Sequence, residues 1–181
     1  MITVIGNLKG GSGKSTVTFN LALWLVRHGK QVYVYDLDLQ ATLLDVAQVR
    51  KEEGYEPTLK VMNRYAPKNH PESMRPDSET LLDVGAANMN AMKKAIAAAD
   101  RVVIPVAPSQ ADIWSTQRFL YIIASEVKDK PPEVVAFINR ADTHAGVRES
   151  NETAAALSLL PGVKALTTRL CQRTTYRRSL T

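Results

Sequence analysis

Short runs of Val, Ile and Leu alternate along this chain with segments whose apolar residues recur every three or four positions. The runs at 2–6, 31–36, 80–84, 101–106 and 134–139 predict strands. Most are apolar on both alternations, as strands covered on both faces are. A helix is predicted over 14–28, where Val17, Leu21 and Leu25 recur and Gly29 supplies a stop. Further helices are predicted over 88–99, over 111–128 ahead of Pro131-Pro132, and over 149–157. Strand alternating with helix predicts an α/β fold: one domain over 1–181, with a mainly parallel central sheet flanked by helices on both faces. Residues 51–78 break the rhythm. Pro57, Pro67, Pro71 and Pro76 lie there among many charges, which predicts an irregular excursion with one short strand near 59–62. Trp24 and Trp114 sit within helical patterns and are expected to pack.

Composition narrows the class. Hydrophobic residues are 45% and charged residues 23% of the 181 positions, which excludes disordered and collagen-like chains. A single cysteine, Cys171, can form neither an internal disulfide nor a cysteine-only metal site, and points to a reducing cytoplasm. No apolar run approaches the ~20 residues that span a bilayer. The first residues, Met1-Ile2-Thr3-Val4-Ile5, lack the basic flank and cleavage site of a signal peptide. His28, His70 and His144 have no metal-ligand spacing. The net charge of +5 equals the five cations Lys164, Arg169, Arg173, Arg177 and Arg178, which stand in a terminal stretch with no acidic residue. That stretch reads either as a solvated end or as a contact for a polyanion.

The strongest chemical signal is Asn7-Leu8-Lys9-Gly10-Gly11-Ser12-Gly13-Lys14-Ser15-Thr16, between the first predicted strand and the first predicted helix. Glycines let successive backbone N–H groups curl around a phosphate, and the helix N-terminus adds partial positive charge there. Lys14 can reach β- and γ-phosphate oxygens, and the Ser15 hydroxyl can ligate Mg²⁺. Asp36 and Asp38 end the second strand and Asp83 ends the third. Open α/β sheets bind ligands beyond the carboxyl ends of their strands, so all three carboxylates are delivered toward the loop. Loop solvation and helix capping are the ordinary alternatives for Asp36 and Asp38. Asn139, at the end of a late strand beside Arg140, suits either a turn or the donor–acceptor edge of a purine.

The loop departs from the generic phosphate-loop pattern, with Leu8 where a glycine is usual and a second lysine, Lys9, at its start. Lys-Gly-Gly-x-Gly-Lys-Ser-Thr resembles the deviant Walker A motif of the ParA/MinD class of P-loop ATPases. Asp36-Leu37-Asp38-Leu39-Gln40 is similar to that class's Asp-x-Asp-Pro-Gln, with Leu39 in place of proline. Leu81-Leu82-Asp83 resembles a Walker B element, and Pro105-Val106-Ala107-Pro108 the class's Pro-x-x-Pro connector. The order of motifs resembles most the short ParA-type partition proteins without an N-terminal DNA-binding domain, which usually continue with one further C-terminal helix.

That resemblance implies a set of roles. ATP or ADP with Mg²⁺ would occupy residues 10–16, that is Gly10, Gly11, Ser12, Gly13, Lys14, Ser15 and Thr16. Lys9 would reach the nucleotide of a second copy in an ATP sandwich dimer, delivering a cation in trans to the transferring phosphoryl group. Asp38 would orient the attacking water, and Asp36 and Asp83 would support the Mg²⁺ shell around Ser15. The Gly85 N–H would contact the γ-phosphate, and Asn139 with Arg140 would lie beside adenine. The dimer would bind DNA without sequence preference through Lys164, Arg169, Arg173, Arg177 and Arg178. A ParB-type adaptor would stimulate otherwise weak hydrolysis through residues 41–76 or the dimer rim, placing the protein on the nucleoid of a bacterial cytoplasm. Alternative cargoes within the class are a chemotaxis array, a carboxysome or a relaxosome. A MinD-like membrane surface would need an apolar C-terminal face that the Arg-rich end lacks. A small kinase or dethiobiotin synthetase-like ligase would need acceptor-substrate residues, and 51–78 offers no such set.

Overall fold

In a computed structural model that describes residues 1–65, 71–127, 129–144 and 148–178, the chain alternates strand and helix from its second residue. The order is β1 (Ile2–Gly6), α1 (Lys14–Arg27), β2 (Gln31–Asp36), α2 (Thr42–Glu52), β3 (Val61–Met62) and β4 (Ser78–Val84). Then follow α3 (Met89–Ala98), β5 (Arg101–Val106), α4 (Gln110–Glu126), β6 (Glu133–Ala141), α5 (Glu149–Ser158), β7 (Lys164–Ala165), β8 (Leu170–Cys171) and α6 (Thr174–Arg178). Spatially the strands run β3-β2-β4-β1-β5-β6-β7, with β8 also on β6, and every described pairing is parallel. The expected α/β class is what forms.

Period-two alternation splits the strand residues between two cores. Val4, Leu82 and Tyr35 join the cluster completed by Met92 and Ile96 of α3 and Ile113 and Phe119 of α4. Their chain neighbours Ile5, Leu81 and Val34 face the other way, onto Phe19 and Ala22 of α1 and Leu43 and Val46 of α2. Burying β1 from both sides fixes its register, because a one-residue slip would exchange the two faces. The loops after β1, β2, β4 and β6 therefore emerge side by side at one edge of the sheet. The chain leaves β1 toward β2 on one flank and later crosses to β5 on the other, so this edge contains the point where strand order reverses.

Two expectations need correction. Trp24 and Trp114 do not pack into a core, being 55% and 56% exposed. The inward faces of their helices are taken by Thr18, Phe19 and Ala22 in α1 and by Ile113, Thr116 and Phe119 in α4. Trp24 instead stacks on His28, ring centroids 4.0 Å apart. Residues 42–52 form α2, where no helix was expected. Pro67, His70, Lys128 and the last three residues lie outside the described part.

Candidate nucleotide-binding site

The loop between β1 and α1 owes its shape to two left-handed residues, Gly11 at φ +74° and Gly13 at φ +89°, a region that side chains disfavour. Gly13 caps α1 with no side-chain acceptor, and the first turn carries no acidic residue. The leading amides of the helix thus keep their unmatched N–H groups and their partial positive charge. Lys14 is buried at this point, its Nζ 3.5 Å from the Lys9 carbonyl. Ser12 is buried too, and its hydroxyl has no hydrogen-bond partner among the described residues. Buried donors and a buried cation, with no acid in the helix's own first turn, make a receptor for an anion.

Three carboxylates face this loop in different states. Asp36 is occupied: Oδ1 accepts from the Asp38 amide (3.2 Å) and Oδ2 from the amides of Leu43 (2.8 Å) and Leu44 (3.3 Å). Burial raises its pKa, and those three N–H groups oppose the rise. It serves as the cap of α2. Asp38 accepts the Gln40 amide at 3.1 Å and leans over Gly85, where a Cβ would lie 2.1 Å from Oδ2. Asp83 has no exposure, and among the described residues neither carboxylate oxygen has a hydrogen-bond partner of normal geometry. Burial pushes its pKa up to about 7; the Ser15 hydroxyl and Lys14 pull it down, while Asp36 and Asp38 push it up.

An unsatisfied buried carboxylate behind Ser15 is a fit for a cation that is brought in by a ligand. Among the described residues no three His, Cys, Asp or Glu side chains are grouped to hold a metal alone. This suits Mg²⁺, which takes one or two protein oxygens, waters and substrate phosphates rather than an all-protein cage.

Lys9 is engaged within its own chain. Its Nζ lies 2.5 Å from Oδ2 of Asp112, a carboxylate that is 1% exposed at the start of α4. The Ser109 hydroxyl donates to the same oxygen at 2.5 Å, while Oδ1 has no hydrogen-bond partner among the described residues. Asn7 ties the loop to β5 and α4: its Nδ2 donates to the Pro105 carbonyl, and its Oδ1 accepts from Ser115 and from the Lys9 amide. Asp112 and Ser109 did not stand out in the sequence, and Asn7 opened the loop motif without a role of its own. The Ser-x-x-Asp spacing at 109–112 signals only the helix cap that it also forms, Ser109 Oγ accepting from the Asp112 amide.

Asn139 and Arg140 do come to the loop, though at its back: they donate to the carbonyls of Ser12 (2.7 Å) and Gly11 (2.6 Å). A cavity of about 1080 Å³ opens from Gly10, Lys14 and Asp38 along an apolar floor that includes Val103, Phe137 and Leu170. The C-terminal cations have separate neighbours, although Lys164 and Arg173 both line that cavity. Lys164 reaches Glu133 (3.4 Å), Arg169 donates to Asn151 (2.7 Å), and Arg173 borders the cavity. Arg178 ends α6; the side chain of Arg177 lies outside the described part.

Comparison with known proteins agrees with this geometry. The family described as CobQ/CobB/MinD/ParA nucleotide binding domain matches residues 3–156. The Maintenance of carboxysome distribution protein A of Halothiobacillus neapolitanus is 26% identical over 180 residues, covering 97% of this chain and 82% of that protein. A plasmid partition protein of Borrelia burgdorferi superposes with a TM-score of 0.70 at 14% identity, covering 99% of this chain and 96% of that one. Cobyrinic acid a,c-diamide synthase of Mycobacterium smegmatis, solved with ADP and magnesium, gives 0.74 at 14% identity, covering 97% and 88%. The two structural likenesses establish the fold.

Proposed function

The chain belongs to the CobQ/CobB/MinD/ParA family of nucleotide-binding domains, as a P-loop ATPase domain of the ParA/MinD type, and we propose that it is a nucleotide-driven switch for segregating DNA. ATP with Mg²⁺ binds at residues 10–16, two copies join across their nucleotides, and the dimer holds DNA without sequence preference. Hydrolysis, slow until an adaptor protein stimulates it, releases both. The observation that carries this reading is the anion receptor around Lys14 backed by the buried carboxylate of Asp83 behind Ser15.

Each residue then has a task. The loop amides and Lys14 bind the phosphates, and Mg²⁺, when bound, would neutralise phosphate charge. Ser15 and Asp83 would hold that cation, with Asp36 keeping α2 and the Asp38 turn in place. Asp38 orients the attacking water. Lys9 leaves Asp112 to meet the second copy's nucleotide, so the end of one contact accompanies the start of the other. Arg169, Arg173, Arg177, Arg178 and Lys164 supply phosphate contacts to DNA, which need charge but no base readout. A carboxysome as cargo is a second reading, favoured by the match to the carboxysome distribution protein over 97% of this chain; cargo is chosen by the adaptor, so both readings share one switch.

Sedimentation of the full chain with ADP or a slowly hydrolysed ATP analogue, with and without random-sequence DNA, tests the proposal. The expected outcome is a monomer with ADP, a dimer with the ATP analogue, and co-sedimentation with DNA only for the dimer. A sedimentation coefficient indifferent to the γ-phosphate would overturn it.

A further inference from the structure

Asn139 and Arg140 are consecutive, yet both side chains reach the phosphate loop. A regular strand forbids this, because successive side chains point to opposite faces. The exception is built by β8. Its Leu170 pairs with Asn139 and its Cys171 with Ala141, so β6 advances two residues while β8 advances one. Arg140 is the extra residue, at φ +59° in the left-handed region where side chains are uncommon. Such a bulge bends the strand and re-aims a side chain, and bulges are enriched beside active sites. Here it brings two donors to bear on neighbouring carbonyls: Asn139 Nδ2 on Ser12 at 2.7 Å and Arg140 Nη1 on Gly11 at 2.6 Å. Gly13 makes the room, since a Cβ there would sit 2.3 Å from Asn139 Nδ2.

A loop that binds an anion through its amides must keep its carbonyls turned away from that anion. The buried Ser12 carbonyl also needs a donor, since water is excluded there; the Gly11 carbonyl is exposed, and Arg140 fixes its direction. We propose that Asn139 and Arg140 form a clamp behind the phosphate loop. They are positioning residues that hold the Gly11 and Ser12 carbonyls outward, so that the amides are set for a triphosphate whatever base it carries. The clamp rests on the reading of residues 10–16 as a nucleoside-triphosphate site. It differs from the base contact that the sequence suggested for Asn139, because a clamp acts on the phosphates.

The test compares Mg-ATP with inorganic tripolyphosphate, which has phosphates and no base, binding to the full chain, to Asn139→Ala and to Arg140→Gly. Each variant is expected to weaken both ligands by a common factor, roughly tenfold for Asn139→Ala and roughly threefold for Arg140→Gly. Glycine at 140 accepts the positive φ, so the bulge survives the loss of the guanidinium. That exposed position carries the comparison by itself if Asn139→Ala fails to fold. Loss of ATP affinity with tripolyphosphate unchanged would assign the pair to the base and overturn the clamp. Unchanged affinity for both ligands in a folded variant would overturn it as well. A wild-type chain that bound neither ligand would bring down the nucleotide reading itself, an outcome set apart by Lys14→Ala behaving like wild type.

Discussion

At the carboxyl ends of β1, β2 and β4, Asn7, Asp36 and Asp83 are shielded from solvent and set by two layers of packed helix. From Lys164 onward the elements are two, two and five residues long, and Arg169 and Arg173 stand in solvent. The first region is preorganised: its donors and carboxylates are desolvated, so a small, highly charged ligand meets strong interactions at little reorganisation cost. The second region has few apolar contacts to order it. It suits a polyelectrolyte, for which summed charge matters more than the place of any one group.

The contrast can be broken most sharply at Asp83. Its folded pKa, about 7, stands above the ordinary 3.8, so the folded chain holds this proton more tightly than the unfolded one. Its contribution to ligand-free stability is therefore fully present below about pH 4 and is lost as pH rises toward 7 and beyond. Three pH units correspond to as much as about 4 kcal/mol. Asp83→Asn is expected to flatten that dependence and to be the more stable protein at pH 8, while weakening Mg²⁺-dependent nucleotide binding. Urea titrations at pH 5 and pH 8 measure the difference; parallel curves for the two proteins would show that Asp83 is not the strained group.

Next in size, Lys14→Ala is expected to lower ATP affinity roughly a hundredfold, the scale of a desolvated charge-assisted contact. Arg169→Glu, outside the cavity, should leave ATP affinity alone. Isothermal titration of both variants decides it, and an equal loss in the two would erase the contrast between the regions.

Lys9→Ala sits between the extremes. Asp112 would be left buried with only the Ser109 hydroxyl, a loss of about 1–2 kcal/mol in denaturant unfolding. ATP-induced dimerisation should vanish while ADP binding persists; a variant that dimerised as wild type would restrict Lys9 to its contact with Asp112. The smallest effect on the fold is expected for Arg169→Glu with Arg173→Glu, within about 0.5 kcal/mol per site. DNA retention should nonetheless fall, and the slope of log affinity against log salt should shrink by about 0.9 for each phosphate contact removed.

How much of this was legible varies with the distance between interacting residues. Predicted strands 31–36 and 101–106 coincide with β2 and β5, because an unbroken apolar run bounded by polar residues is a local signal. The loop and its following helix were equally plain. Helix α2 was hidden: Leu43 and Val46 are its only buried residues, amid Asp45, Arg50, Lys51 and Glu52, and its cap comes from Asp36 rather than from Ala41 beside it. The role of Asp112, and the contact that Asn139 makes, were beyond local reading for another reason. Their partners Lys9 and Ser12 lie 103 and 127 residues away, and only the sheet order brings them together. No window of sequence contains the skipped pairing that turns Arg140 toward the loop.

The capping of α2 has a mechanical consequence. Ala41 turns the corner at φ +53° and offers the helix no side-chain acceptor, so the amides of Leu43 and Leu44 depend on the carboxylate of Asp36. Drawing α2 away from the sheet would strand a negative charge in a dry interior, a penalty too large for thermal jostling to cover. Helix and turn must therefore travel as a single rigid piece. A hand laid on the outer side of α2 would move Asp38, two residues from the hinge, as surely as one laid on the turn itself.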